Sequence, residues 1–356
     1  MGRTTLVNFT RFLATAGLVL LLPACASQDI PTDVPTLAPT ATLDATMGMG
    51  EAAEAWNLLA QRGGQVWSGW GQPLPPLLIS NGSDDFLVGH PHPPDGFAPA
   101  AGVQMDGQVV FRRSGHLVPV QAATAWDVAG VWSVAVPERA QFQAAVDQAV
   151  GKGKITIDPP AYVRAIVHEA FHAYALTLTG GALPNFGADV DEQKMIADLS
   201  ARSGLGDRYT VEGQALSNAL RATTQVDMLS EAAHFLQLRR ERRSSFAPEV
   251  ASYEQSVEWI EGLARYADTS LIRLAGETDY QPSLDSVNYP AADATWEQFL
   301  TDLSQPTLSL DGFRGRYYLL GAGEAFLLDR LMPNWKDSVI TQKQSLEVLL
   351  DQALRQ

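Results

Sequence analysis

The sequence predicts an α+β fold, strand-rich over residues 51–158 and helical over 159–356. Three observations carry that expectation. Short β-branched and aromatic runs, separated by Gly, Pro and Asn-Gly turn signals, fill the first section. Beyond Pro159, apolar residues recur at three- and four-residue steps through long stretches without glycine or proline. No internal repeat interrupts either section, so residues 51–356 form one large domain or two closely merged subdomains.

In order along the chain, Pro76–Ser80, the turn Asn81-Gly82-Ser83-Asp84-Asp85 and Phe86–Val88 read as a hairpin. Val109–Phe111, Leu117–Val120 and Val131–Val136 are further strands, and Ala140–Val150 is a helix. Lys154–Asp158 reads as a short strand feeding the next helix. That helix opens on Pro159-Pro160, which suit a first turn where no intrahelical N–H is needed. It continues through Leu178, with Gly180-Gly181 as its stop. A single long helix is expected over Val211–Arg243, with Leu216, Leu220, Val226, Leu229, Ala233 and Leu236 at helical spacing. Its Arg239, Arg240, Arg242 and Arg243 read as a solvated end where cations favour the helix dipole. Ala247–Ala267, Tyr317–Leu331 and Ser338–Leu354 complete the helices.

The N-terminus reads as an export signal. Arg3 and Arg11 precede an apolar run, Phe12–Leu22, that is too short for a comfortable membrane span. It ends in Leu22-Pro23-Ala24-Cys25, which resembles the lipobox of bacterial lipoproteins. The resemblance implies a signal peptide over 1–24, cleavage before Cys25, and a lipid on that sulfur that anchors the protein outside the cytoplasm. Cys25 is the only cysteine, so neither a disulfide nor a thiolate metal ligand is available to the mature domain. Residues 25–50, rich in Pro, Thr and Ala, read as a solvated linker. A net charge of −15, more negative still once the two leader arginines are removed, argues against nucleic acid as a partner.

His168-Glu169-Ala170-Phe171-His172 is the chemically informative segment, an HExxH sequence inside the expected 159–178 helix. Residues four apart share a helix face, so both imidazoles can meet one metal ion while Glu169 stands beside them as a base for water. Zinc suits two imidazoles, a third protein ligand and an open fourth position. His90, His92, His116 and His234 read as loop, surface or packed residues, which leaves a carboxylate for the third place. Glu261, Glu212 and Glu258 are the alternatives.

Trp259-Ile260-Glu261-Gly262-Leu263-Ala264-Arg265-Tyr266 resembles the segment that supplies the third zinc ligand in the aminopeptidase N family. The resemblance identifies the chain with gluzincins, zincin-like metallopeptidases that pair an HExxH helix with a downstream glutamate. It implies zinc on His168, His172 and Glu261, with Glu169 as general base. Glu261 follows His172 by 89 residues, a longer gap than in that family, which an inserted helical hairpin would fill. Glu212-Gly213-Gln214-Ala215 shares the Glu-Gly-x-Ala pattern but lacks the Trp. A second echo, Tyr317-Tyr318-Leu319-Leu320-Gly321, implies an oxyanion-binding role for Tyr318. The resemblance is confined to three short segments between 159 and 331.

A membrane-anchored zinc metallopeptidase acting on peptides or proteins is the resulting expectation, with Val131–Val136 as a strand able to align an extended substrate. The Gly-x-Met-Glu-Asn segment that holds a free amine in aminopeptidases has no counterpart between 100 and 158, so the direction of cleavage stays open. A zinc-bearing scaffold lipoprotein and a zinc amidase of non-peptide substrates remain the alternatives.

Overall fold

The computed structural model describes residues 49–117, 122–184, 186, 191, 194–195, 198–199, 201–202, 204–277, 279–305 and 314–356, together with a pairing of Ala14–Thr15 with Leu18–Val19. Cys25 and the rest of the leader and linker lie outside the described residues. A six-stranded mixed sheet is covered by helices, so the chain is α+β. No helix among the described residues is long and apolar enough to cross a membrane.

The first helix, α1 (Met49–Val66), begins where a linker was expected to end and interrupts the section read as strand-rich. Gly63-Gly64 conceals it in the sequence, because two glycines look like a break. Here the missing Cβ serves packing: one added to Gly63 would stand 2.7 Å from the Trp70 carbonyl oxygen. Ala52, Ala55, Trp56 and Leu59 form its buried side.

β1 (Leu77–Ser80) and β2 (Asp84–Val88) make the expected hairpin. Asn81 Oδ1 ties its turn by accepting from the N–H groups of Ser83 and Asp84. β3 (Ala98–Met105), β4 (Gln108–Ser114), β5 (Thr124–Val128) and β6 (Val131–Pro137) follow. Their spatial order is β3-β4-β2-β1-β6-β5, antiparallel throughout except for β1 beside β6. Val118–Val120 of one expected strand lie outside the described residues. The unexpected β3 is an exposed edge strand built on Ala98-Pro-Ala-Ala-Gly102, residues with little β preference. Leu77, Ile79, Phe86, Val88, Val134 and Val136 face the main core, and Leu78, Leu87, Ala135 and Val128 a smaller one on the opposite face.

β6 is paired on both sides, by β1 and by β5. From Val134 onward its backbone groups are consumed, so of the strand expected to align a substrate only Val131–Ser133 lack a partner on the β1 side. The edge belongs to β5, which the sequence reading passed over. Ala129 and Gly130 join the two strands, both at positive φ (49° and 86°), as a type I′ turn requires.

Lys154–Asp158 forms no strand. Its backbone is satisfied instead by α2 (Arg139–Val150), where Gln143 donates to the Ile155 carbonyl at 2.8 Å and accepts from the Ile157 N–H at 2.6 Å. α3 (Pro159–Thr179) then crosses β5 and β6 and packs against α1.

The long helix expected over Val211–Arg243 is two, α4 (Leu205–Arg221) and α5 (Gln225–Arg243). Thr224 starts the second by capping the Asp227 N–H at 3.1 Å. The continued apolar spacing across the break was accidental, since Val226 is 76% exposed. The expected 247–267 helix is present and longer, running unbroken from Pro248 to Ala275 as α6 (Pro248–Val257), a turn over Glu258–Gly262 and α7 (Leu263–Ala275), and α8 (Ala292–Ser304) was not foreseen. α9 (Gly315–Leu331) matches expectation. The last expected helix is divided into α10 (Trp335–Thr341) and α11 (Leu346–Ala353), with Ser345 capping the second.

The reading of the α5 arginines as a solvated end is overturned. Arg239 and Arg242 are completely buried and Arg243 nearly so, while Arg240 alone faces water. Met228, Ala232, Phe235, Arg239 and Arg242 follow one another at steps of four, three, four and three, so both arginines continue the buried stripe of α5. Glu212, Glu254, Glu258, Glu324 and Glu347 surround them.

Candidate metal centre

α3 carries the HExxH segment through the interior. Asp158 caps it by accepting from the Ala161 N–H at 2.9 Å, Pro159 and Pro160 occupy its first turn, and Gly180 ends it at φ 63°. His168 and Glu169 are buried and His172 half-buried. The two imidazoles lie on one face, their ring centroids 4.9 Å apart.

Between α6 and α7 the helix widens into one π turn, Glu258–Gly262. Such turns shift the side chains that follow around the helix axis. Glu261, on this turn, directs Oε2 to within 3.2 Å of His172 Nε2 and 3.4 Å of His168 Nε2. Gly262 serves a separate need. Its φ of −66° is open to any residue, but a Cβ there would meet the Gly321 Cα at 2.6 Å. The two glycines let α9 touch the π turn backbone to backbone. Tyr318, one turn before Gly321, thereby lies over His168, rings within 9° of parallel and centroids 5.9 Å apart.

The ligand atoms of His168, His172 and Glu261 lie within 4.8 Å of one another. A tetrahedral zinc ion with bonds of about 2.0–2.1 Å holds its donors roughly 3.3 Å apart. The two separations to Glu261 Oε2 match that spacing, and two imidazoles with one carboxylate are a donor set suited to Zn²⁺. The residues fit the ion.

Further residues orient the first three. His168 Nδ1 donates to Asp268 Oδ2 at 2.8 Å, which fixes the ring and turns Nε2 toward Glu261. Asp268 accepts in turn from Arg164 Nε at 2.7 Å, and Arg164 also donates to Thr269 Oγ1. Glu169 lies against β5, its carboxylate within the influence of the Ala125 N–H. Arg314 donates to the second oxygen of Glu261 at 3.2 Å. The sequence reading missed Asp268, Arg164 and Arg314. Spacing was the available signal for two: Arg164 stands one turn before His168, and Asp268 seven residues beyond Glu261.

The electrostatics follow from burial and these partners. Burial opposes a charged His168, but Asp268 and Glu261 outweigh it and push its pKa up to about 10 in the metal-free protein. A divalent cation at Nε2 would displace that proton. Burial likewise opposes ionisation of Glu261, yet His172, His168 and Arg314 hold it well below the usual carboxylate range. Glu169 is raised by burial, which the two imidazoles and the Ala125 N–H offset only in part. Burial and the Glu261 charge push the Tyr318 phenol well above its ordinary value.

The alternative acids are engaged elsewhere. Glu212 binds Arg242, and Glu258 pairs with Arg239 through both oxygens. The other histidines stand apart as well. His90 donates to the Val128 carbonyl, His116 donates to Asp85, His92 is exposed, and His234 lies near Glu231 on α5.

Compared with protein-family models, with curated proteins and with solved structures, the chain matches none of them.

Proposed function

We propose that the chain is a zinc-dependent metallopeptidase of the gluzincin type, held outside the cytoplasm by a lipid on Cys25. One observation carries the reading. A carboxylate 89 residues beyond His172 meets both imidazoles of the HExxH segment at metal-donor spacing, while the neighbouring buried glutamates are taken by arginines.

His168, His172 and Glu261 would hold the zinc. When bound, the ion supplies a Lewis acid that lowers the pKa of water and polarises a carbonyl oxygen. Glu169 accepts the proton of the attacking water and delivers it to the leaving amine. Its burial favours that exchange, because a carboxylate whose pKa is raised accepts a proton more readily than an exposed one. Tyr318, stacked beside His168 and near the Glu261 charge, is close enough to donate to the oxyanion of the tetrahedral intermediate. Asp268 and Arg164 keep the His168 ring in place throughout.

β5 supplies the binding edge. Among the described residues no strand pairs with its outer side, and it borders Glu169. An extended peptide added there would lie antiparallel or parallel to Thr124–Val128 with a carbonyl beside the base. This favours a peptide over a compact non-peptide amide.

Glu169→Gln tests the assignment. Zinc content should remain one per chain while casein hydrolysis falls by roughly 10²–10⁴-fold. An unchanged rate would remove Glu169 from the mechanism, and a protein that binds zinc yet cleaves neither casein nor a peptide library would support the scaffold alternative. For the anchor, Cys25→Ser should move the protein from the membrane to the soluble fraction.

A further inference from the structure

The two oxygens of Glu261 face different partners. Oε2 lies 3.2 and 3.4 Å from the imidazole nitrogens, whereas Oε1 lies 3.2 Å from Arg314 Nη2. Arg314 stands immediately before α9, one turn ahead of Tyr318, and its side chain is only 12% exposed. The same helix start therefore presents a cation to one oxygen of Glu261 and a phenol to the cluster.

Building on the zinc reading, we propose that Arg314 is a positioning residue that reserves Oε1 of Glu261, so that the carboxylate binds the metal through Oε2 alone. A free carboxylate can offer a metal one oxygen or both. The second oxygen, once bound, would fill the position that water and substrate need. A charge-assisted hydrogen bond competes directly for the lone pairs on Oε1. Guanidinium suits the task because it stays protonated at any working pH and is directional, whereas an ammonium is a flexible point charge. Its positive charge also drains electron density from Glu261, leaving the metal a stronger Lewis acid.

Cobalt substitution reads this directly, because visible d–d absorption weakens as coordination rises from four to five. Wild-type protein loaded with one Co²⁺ per chain should show the intense bands of a four-coordinate ion. In Arg314→Met the same loading should give several-fold weaker bands, as Oε1 turns to the metal. Zinc-supported hydrolysis should fall roughly 10–100-fold, the range expected when the partner of a ligand is removed. Arg314→Lys, which keeps the charge and the fold-preserving stem, should give an intermediate spectrum. Intense bands in both variants, identical to wild type, would overturn the role of Arg314 and leave the zinc reading intact. Failure of the wild-type protein itself to take up one Co²⁺ or Zn²⁺ would overturn both.

Discussion

Glu261-Gly262-Leu263-Ala264 and Glu212-Gly213-Gln214-Ala215 share a pattern, and both glutamates are buried, yet their surroundings are chemically opposite. Glu212 meets the Arg242 guanidinium through both oxygens, with Arg239 3.5 Å away. Its lone pairs are occupied by donors that cannot give up their protons. Glu261 meets two imidazole nitrogens instead. With both Nε2 atoms unprotonated, two imidazoles and a carboxylate would put three acceptors around one point, an arrangement suited to a cation. In the metal-free protein a proton on His168 takes that place. The contrast teaches that a buried carboxylate must be compensated, and that the compensating group decides whether it can do chemistry.

The largest effects should separate the two glutamates. Zinc held with about 10–16 kcal/mol of apparent binding energy loses on the order of 4 kcal/mol with one of three ligands, or about 10³-fold in affinity. Glu261→Gln should show that loss in competition with a chromophoric chelator. Glu212→Gln should keep wild-type affinity within a few-fold and instead lose about 1–3 kcal/mol in urea unfolding, because Arg242 keeps Glu254 but loses one of its two carboxylates. Metal lost from the Glu212 variant and retained by the Glu261 variant would exchange their roles.

A smaller effect should come from the glycines that follow. Gly262→Ala places a methyl 2.6 Å from the Gly321 Cα, which is backbone and cannot rotate away. α9 must retreat, at a cost of about 1–3 kcal/mol, and Tyr318 retreats with it. Thermal unfolding and hydrolysis should both suffer, the latter without loss of bound zinc. Gly213→Ala should be far milder in hydrolysis, since α4 presents nothing to the metal cluster. Equal effects at the two glycines would mean that the pattern, not the contact with α9, makes Gly262 necessary.

The same contrast shows what could be read in advance. The α3 helix was legible to its ends because Pro159, Pro160 and Gly180 act locally, through backbone preferences, while its cap Asp158 reads in the sequence as the end of a strand. The cluster of His168, His172 and Glu261 came from helical spacing plus a resemblance, and the fold brings those residues together. Long-range compensation left weaker traces. Nothing local to Arg239 and Arg242 announces five glutamates from α4, α6, the π turn, α9 and α11, although the heptad-like spacing after Phe235 already pointed them inward. The π turn was illegible because its backbone matches a helix at every residue. β5 was missed because Thr124-Ala-Trp-Asp-Val128 is short and its partner across the Ala129-Gly130 turn attracts the stronger signal.

The arginine cluster should also respond to pH in two opposite ways. Burial opposes ionisation of Glu254, but Arg242 and Arg243 outweigh it and hold its pKa well below the usual carboxylate range. A group that ionises more easily in the fold than in the unfolded chain adds stability above about pH 4.5, lost as pH falls. Glu324 has the reverse sign. Burial pushes it up to about 7, and it competes with Glu258 for Arg239. Its folded form keeps a proton that the unfolded chain releases near pH 4.5, so its contribution is full in acid and lost as pH rises through about 7. His168, pushed up to about 10 without metal, adds a loss of the same sign above about pH 6.5. The difference between wild-type and Glu324→Gln urea-unfolding curves removes that shared background. Between about pH 5 and 8 the wild type should lose on the order of 1–3 kcal/mol more than the variant, with the acid limb common to both. Parallel curves would mean that the surplus proton rests elsewhere among the five glutamates. The cluster would still differ from the His168–His172–Glu261 site, because its cations are fixed guanidinium groups rather than the exchangeable ion proposed there.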